Sequence, residues 1–174
     1  MIPIAYFFSN PPTTIVTPVG LRDPELIISG AVNNTLDMWA IGCLVFELIT
    51  GQRLYHVDDY ENPEDQVDDH LLMLSDTLGP LPENLYVLWT RSSKYYTPER
   101  VQFNTLLYDD PKETDLLLNK MKSLEELFDE NKPVDLSDRQ SKMVKALLRR
   151  ILQYDPAKRP TASQILGSMV CGLI

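Results

Sequence analysis

The segment "LDMWAIGCLVFELIT", residues 36–50, constrains the fold of this chain more than any other part of the sequence. It is apolar on almost every side of a helix and contains only two charged residues, Asp37 and Glu47. The side chains of residues 33–35 (Asn-Asn-Thr) suit a helix N-terminus, and Gly51 suits a helix C-terminus. Because a helix without a polar face is normally buried on every side, we expect residues 36–50 to form the central helix of the domain.

The rest of the chain also carries helix signals. Residues 66–78 place apolar side chains on one stripe and are followed by Gly79 and Pro80, which predicts a helix that ends there. Residues 80–111 are rich in proline, tyrosine and serine, and we expect a long irregular insertion. Three pairs fit the capping box that begins a helix, and these are Ser123 with Glu126, Ser137 with Gln140, and Thr161 with Gln164. The inner face of the helix after the second box comprises Met143, Val144, Leu147, Leu148, Ile151 and Leu152. No stretch shows sustained β alternation, so the sequence predicts a mainly α domain.

Composition excludes several classes of function. The net charge of −9 argues against general nucleic-acid binding and favours basic partners. Cys43 and Cys171 are widely spaced and form no metal-ligand pattern, so we expect reduced thiols in a cytoplasmic or nuclear protein. His56 and His70 have no metal-ligand spacing either, and both are expected at the surface. The apolar segment is too short to span a membrane and contains an acid, so no membrane contact is expected.

An acidic run occupies residues 58–69, "DDYENPEDQVDD", without one lysine or arginine. One interpretation is a solvated surface, which is what most charge runs form. The alternative is a docking site for arginine-rich peptides, recruited by several carboxylates at once. The docking residues would be Asp58, Asp59, Glu61, Glu64, Asp65, Asp68 and Asp69.

Three further charged residues have open interpretations. Glu25 and Arg159 are far apart in sequence, and each is adjacent to a proline. They would tie the early loop to the late helices if they formed a buried bidentate pair, and they would be solvated otherwise. Asp37 lies in the first turn of the apolar helix, where the helix dipole alone favours an acid.

Three motifs occur in an order and spacing that resemble the C-terminal lobe of a eukaryotic protein kinase. Residues 22–25, Arg-Asp-Pro-Glu, resemble the end of the activation segment, which is usually Ala-Pro-Glu. Asp37, Trp39 and Gly42 fit the Asp-x-Trp-x-x-Gly pattern of the central helix, and Arg159 fits the arginine that pairs with the activation-segment glutamate. The arginine at the start of the first motif indicates the branch that contains cyclin-dependent, mitogen-activated and SR-protein kinases. "FELITGQRLY" and "DDHLLMLSDTLGPLP" are most similar to fungal-type SR-protein kinases.

The resemblance implies a role for each matched position. In the family, the residue matching Asp37 holds the backbone of the catalytic loop, and the glutamate and arginine form the tie. The residues with an implied structural or substrate-loop role are Thr17, Arg22, Glu25, Asp37, Trp39, Gly42 and Arg159. Asp23 departs from the family pattern, because it stands where a small alanine is usual and places an extra acid beside Glu25.

The resemblance also shows which kinase motifs this sequence lacks. Family members use a glycine-rich loop, an ATP-binding lysine, a His-Arg-Asp catalytic loop and an Asp-Phe-Gly magnesium site. None of these motifs occurs here, and the first residues match the activation loop instead. We therefore expect no catalytic, cofactor-binding or metal-binding residue in this chain, although ATP and Mg serve the parent family. Without the catalytic loop, Asp37 is expected to be exposed or to lack partners.

The implied fold is mainly α and kinase-like, with helices F to I, the activation segment and an insertion, but without the N-terminal lobe. As a single partial kinase domain, residues 1–174 would divide into an activation segment and substrate loop (1–25), a central helix (36–50), an insertion (79–135) and C-terminal helices (137–170).

Three hypotheses of function remain open. The chain is part of a serine/threonine kinase that phosphorylates Arg/Ser-rich proteins and requires its missing N-terminal half as a partner. Alternatively, it is a non-catalytic module that binds basic peptides in an acidic groove. The third hypothesis is a non-functional remnant without a stable fold.

Overall fold

The computed structural model describes residues 17–33, 35–103 and 122–170, with side chains to residue 167. Seven α-helices occur in these ranges: α1 (Pro24–Ser29), α2 (Leu36–Thr50), α3 (Pro63–Leu78), α4 (Glu83–Tyr86), α5 (Leu124–Asn131), α6 (Asp138–Ile151) and α7 (Ala162–Val170). Short 3-10 turns occupy Val19–Leu21, Ser92–Lys94 and Pro156–Lys158. Within the same ranges, β pairing is limited to one bridge between Tyr96 and Gln102. The domain is therefore helical, as the sequence predicts.

Helix α2 has the predicted bounds, but its N-terminus is not capped as expected. The N-cap residue Thr35 makes no side-chain hydrogen bond to the helix backbone. Its hydroxyl instead donates to Oδ1 of Asn33 at 2.6 Å, and the same oxygen accepts the Thr35 N–H at 2.7 Å. At the other end, the Gly51 N–H donates to the carbonyl of Glu47 at 2.8 Å. The polar side chains before α2 thus organise the preceding loop rather than the helix end.

One face of α2 packs closely against α6. Trp39, Gly42, Cys43 and Phe46 are all buried on this face. A Cβ atom on Gly42 would lie 2.8 Å from side-chain atoms of both Ile151 and Leu152, so any larger residue would force these side chains to shift. The close approach places the end of α6 directly against the middle of α2.

The opposite face of α2 is exposed, which contradicts the prediction of burial on every side. Ile41, Leu44 and Leu48 expose 41%, 43% and 83% of their surface. With Asp37 they follow a helical spacing of four, three and four residues, which places them on one stripe. Apolar composition predicted burial, but no described neighbour covers this stripe.

The capping boxes predicted from sequence are confirmed. In α5 and α6, the serine and the acid or amide three residues later satisfy each other's backbone N–H groups. The Thr161 N–H donates to Gln164 at 2.8 Å, and the Gln164 N–H donates to the Thr161 hydroxyl at 3.3 Å. The buried residues of the amphipathic α6 include Leu147, Leu148 and Ile151. Local sequence therefore places the late helices correctly.

Helix α3 begins three residues before the predicted start. Asn62 accepts the Glu64 N–H at 3.1 Å, and Pro63 occupies the first helical turn. The predicted irregular insertion contains α4, the turn Ser92–Lys94 and the single β bridge. The remainder of this prediction, residues 104–111, lies outside the described residues. No helix in the described ranges is long and apolar enough to cross a membrane.

Candidate functional site

A buried ion pair ties the start of α1 to the connection before α7. Arg159 Nη1 and Nη2 each lie 2.7 Å from one oxygen of Glu25, which makes the contact bidentate. The Arg159 side chain has no exposed surface, and that of Glu25 exposes 12%. Burial opposes ionisation of Glu25, but hydrogen bonds from Arg159 and Asn33 outweigh it and hold its pKa below the ordinary value. The structure thus supports the paired interpretation of these two residues.

Asp23 joins this ion pair as a second buried carboxylate. One of its oxygens caps α1 by accepting the Leu26 N–H at 3.1 Å. The other lies 2.9 Å from Arg159 Nη1. Burial, followed by the charge of Glu25, raises the pKa of Asp23 to about 7. The extra acid is therefore built into the tie rather than left in solvent.

Further contacts hold the guanidinium in place. Arg159 Nε donates to the carbonyl of Gln153 at 2.8 Å, and Nη1 donates to the Thr35 hydroxyl at 3.1 Å. The guanidinium carbon lies 5.0 Å from the ring centre of Trp39, within the range of a cation–π contact. Trp39 of α2 thus contacts the ion pair directly, in line with its place in the sequence motif.

The segment before α1 is shaped by a hydrogen bond across its 3-10 turn and by a close backbone contact at Gly20. Arg22 Nε donates to the carbonyl of Thr17 at 3.1 Å, which closes the segment on itself. A Cβ atom on Gly20 would lie 2.5 Å from the carbonyl oxygen of Tyr55, so a side chain there would collide with the backbone. Arg22 and Thr17 therefore shape this loop together.

A cavity of about 490 Å³ lies between this loop, α2 and residues 53–59. Three carboxylates line it, from Glu47, Asp58 and Asp59, against one arginine, Arg53. Sequence reasoning did not propose Glu47 as a functional residue. Its position near the end of an apolar helix could have indicated a functional role, because a charged side chain there needs a polar environment.

Asp37 lies at the start of the exposed stripe of α2. It is half-buried, and burial raises its pKa. No hydrogen bond to its carboxylate is found within residues 17–33, 35–103 and 122–167. The carboxylate is therefore available to donors outside the part of the chain that the structure describes.

The acidic run is partly neutralised by Arg91, which is distant in sequence and was not predicted to contact it. Arg91 lies 2.9 Å from Glu64 and 3.0 Å from Asp68, and it also pairs with Asp65. Asp68 is almost fully buried and accepts hydrogen bonds from Trp89 Nε1 at 2.6 Å and from the Tyr95 hydroxyl, at 2.8 Å. The placement of Asp68 among the docking residues is therefore wrong, because it holds the insertion against α3.

The remaining acids of the run differ in exposure. Asp58, Asp59 and Glu61 are exposed, whereas Asp69 is half-buried. Burial, followed by the charge of Asp69 and a hydrogen bond with it, raises the pKa of Tyr60 to about 12. Asp58 and Asp59 thus line the cavity as exposed acids, Glu61 is exposed outside its lining, and the full set of seven does not form one surface.

His70 is buried, contrary to its prediction as a surface residue. It exposes 1% of its surface and packs on Tyr55, with ring centres 5.5 Å apart. Neither ring nitrogen has a hydrogen-bond partner among the described residues. Burial, followed by the charge of Arg22, lowers the pKa of His70 to about 3. His56 is exposed, as predicted, and no cluster of metal-binding side chains occurs in the described ranges.

Comparison with known proteins identifies the family. A model of the protein kinase domain matches residues 5–170. The chain belongs to the protein kinase domain family. A crystal structure of a kinase domain superposes with a TM-score of 0.61 at 24% identity, over 92% of this chain and 42% of that chain. The superposition shows that this chain shares the fold of part of that kinase domain.

Several kinases of the SR-protein kinase branch are similar in sequence. Dual specificity protein kinase lkh1 of Schizosaccharomyces pombe is 29% identical over 88% of this chain and 20% of its own length. Serine/threonine-protein kinase SRPK of Physarum polycephalum is 32% identical over 83% of this chain and 31% of its own length. Serine/threonine-protein kinase AFC3 of Arabidopsis thaliana is 32% identical over 83% of this chain and 33% of its own length. The chain thus spans between a fifth and a third of these relatives.

Proposed function

We propose that this chain forms the substrate-side, C-terminal lobe of a serine/threonine kinase that acts in the cytoplasm or nucleus. The whole protein would transfer the γ-phosphoryl group of ATP to serine in Arg/Ser-rich proteins. The observation that carries the proposal is the buried tie from Arg159 to Glu25, which holds the loop of residues 17–22 beside the cavity. The names of the SR-protein-kinase-like relatives support the choice of substrate.

The missing half of the kinase would cover the exposed stripe of α2. Ile41, Leu44 and Leu48 present apolar surface, and Asp37 at the head of the stripe lacks a described partner. A catalytic loop packed there would bury the apolar side chains and donate hydrogen bonds to the carboxylate. Both features favour a partner segment at this face over open solvent.

The genomic DNA immediately upstream tests this proposal. We expect it to encode, in frame, a kinase N-terminal half with a glycine-rich loop and a His-Arg-Asp loop. The longer product should phosphorylate an Arg/Ser-repeat peptide with radiolabelled ATP. An upstream region without these motifs would contradict the split or truncated kinase and leave the chain without a catalytic partner.

A non-catalytic binding module is the second candidate. The exposed Asp58 and Asp59 line the same cavity as Glu47, and the exposed Glu61 follows them closely in sequence. Such a surface suits arginine-rich peptides, since a guanidinium pairs with a carboxylate in a fork geometry. On this view, the chain holds basic peptides without modifying them.

Titration with an Arg/Ser-repeat peptide tests the binding module. Replacing Asp58 and Asp59 by asparagine and Glu61 by glutamine should weaken binding by about tenfold or more at low salt. A matched control neutralises the exposed Glu99, Asp135 and Asp138, which lie outside the acidic run of residues 58–69, and should leave the affinity nearly unchanged. Equal affinity in both variants would remove the docking hypothesis.

A further inference from the structure

Three ionisable side chains meet in the tie with unequal numbers of positive and negative charges. Asp23 and Glu25 each form an ion pair with Arg159. The side chains of Asp23 and Arg159 expose 1% and 0% of their surface, so water does not screen them. Two ionised carboxylates against one guanidinium would leave a net negative charge in a buried site, which is costly.

The hydrogen-bond donors of Arg159 are also too few. Nη1 carries two N–H groups, but three acceptors surround it: Asp23 at 2.9 Å, Glu25 at 2.7 Å and Thr35 at 3.1 Å. The other three N–H groups of the guanidinium face Glu25 and the carbonyls of residues 153 and 154. Nη1 therefore cannot donate to all three acceptors at once, and the two carboxylates compete with the Thr35 hydroxyl oxygen for its two N–H groups.

The surroundings of the two acids decide which of them holds the proton. Glu25 accepts two N–H groups from Arg159 and a third from Asn33 at 3.0 Å, all of which favour its charged form. Asp23 receives one N–H from Arg159 and one from Leu26, and it is the more buried of the two acids. Asp23 is therefore the acid that keeps a proton, which it donates towards Glu25.

We propose that Asp23 and Glu25 share one proton in the folded chain, and that loss of this proton weakens the tie through which Arg159 holds residues 17–29. The step is a simple ionisation in which the Asp23 carboxyl releases its proton to water. The family pattern, with a small residue at this position, has no equivalent group.

Few other groups face the site, so the titration belongs to these acids. Among the described residues of the loop before α2, the uncharged Asn33 and Thr35 contact the site. Helix α2 contributes the Trp39 ring and the Cys43 thiol, and burial raises the pKa of that thiol so that it remains neutral. The contribution of Asp23 to stability should change with pH between the ordinary Asp pKa of 3.8 and the folded pKa of about 7.

The direction of the pH dependence follows from these two values. Below about pH 4, Asp23 is protonated in both the folded and the unfolded chain, and its contribution to stability is complete. As the pH rises from about 4 to about 7, the unfolded chain ionises first, so the folded chain loses stability relative to it. Above about pH 7 the loss is complete, because both states are then ionised.

Thermal unfolding of the full chain and of Asp23→Asn tests the proposal. The asparagine keeps an oxygen for Leu26 and cannot ionise. Its NH2 cannot accept the N–H of Arg159, so the readout is how the stability difference changes with pH, not its size at one pH. We expect the midpoint of Asp23→Asn to rise relative to that of the unmodified chain by about 5 °C between pH 5 and pH 8. Asp58→Asn, at an exposed acid, should show no such trend. The proposal would be overturned if the difference in unfolding midpoint between Asp23→Asn and the unmodified chain were the same at every pH from 5 to 8.

A second measurement does not depend on the variant folding. Carbon-13 NMR of the assigned aspartate carboxyl groups in the unmodified chain should show that the Asp23 resonance titrates near neutral pH. The proposal is overturned if every aspartate resonance titrates below about pH 5, the range of ordinary carboxyl groups.

Discussion

Arg159 donates hydrogen bonds to Asp23, Glu25 and Thr35 from a side chain without exposed surface. Each of these partners belongs to a segment near α1 or α2, whereas Arg159 itself follows the 3-10 turn Pro156–Lys158. A single side chain thus connects the early and late parts of the described chain. Its removal is therefore more costly than the loss of an ordinary surface ion pair.

Replacing Arg159 by methionine should destabilise the chain by about 3–5 kcal/mol, since two carboxylates would remain buried without their cation. Lys158→Met is the matched control, because Lys158 is 70% exposed and its ion pair with Asp155 is long, at 3.8 Å. Urea unfolding near neutral pH measures both variants. Equal losses of free energy in the two variants would contradict the role assigned to Arg159.

His70 predicts an acid-sensitive contribution to stability. Its folded pKa of about 3 lies below the ordinary value of 6.5, so its stability is present above about pH 6.5 and lost as the pH falls towards 3. Between pH 6.5 and pH 5, the chain should lose about 2 kcal/mol from this residue. The difference between the unmodified chain and His70→Phe in urea unfolding isolates the effect, since Asp23 acts in the opposite direction in both. No pH dependence in that difference would contradict the burial of a neutral histidine.

At the scale of elements, α3 and the insertion are joined through Asp68. Its carboxylate accepts hydrogen bonds from Trp89 and Tyr95, and Arg91 lies 3.0 Å away. The aromatic pair Trp89 and Tyr95 stacks with ring centres 5.5 Å apart, which adds apolar contact to the same junction. The insertion is thus fixed to α3 by buried polar contacts as well as by packing.

Asp68→Ala should therefore cost about 3–5 kcal/mol, because two buried donors lose their acceptor and Arg91 loses an ion pair. The exposed Asp58→Ala, ten residues earlier, should change stability by about 0.5 kcal/mol or less. Chemical unfolding followed by tryptophan fluorescence reports on both, since Trp89 lies at the junction. If Asp68→Ala lowered the free energy of unfolding as little as Asp58→Ala does, the structural role assigned to Asp68 would be contradicted.

The elements were predictable where local chemistry decides them. Helix α2 and the late helices follow from apolar segments and capping pairs that are adjacent in sequence. The kinase motifs likewise predicted that Glu25 meets Arg159, although residue chemistry alone left the pair open. These features depend on residues that a pattern can align.

Other features depend on neighbours that no local pattern reveals. Ile41 and Leu48 are apolar, but burial requires a second surface, and none is described there. His70 follows acids in sequence, yet it lies on the inner side of α3 with Leu71 and Leu74. Arg91 pairs with Glu64 although they are 27 residues apart in sequence. The residues of the acidic run alone therefore gave no indication of a neutralising arginine. Long-range contacts, rather than propensities, account for each of these errors.

At the scale of the whole molecule, the described residues combine the buried tie between Glu25 and Arg159 with an exposed stripe on α2. The sequence contains no glycine-rich loop, ATP-binding lysine, His-Arg-Asp loop or Asp-Phe-Gly. Phosphoryl transfer depends on those groups to position ATP and neutralise its charge. We therefore predict that this chain alone does not transfer a phosphoryl group.

Incubation of the purified 174-residue chain with radiolabelled ATP, magnesium and an Arg/Ser-repeat peptide tests this claim most directly. A cooperative thermal transition in the same preparation confirms that the assayed chain is folded and excludes an unfolded remnant. We predict no transfer of label to the peptide above the background without protein. Transfer that grows with the concentration of the chain would contradict the account.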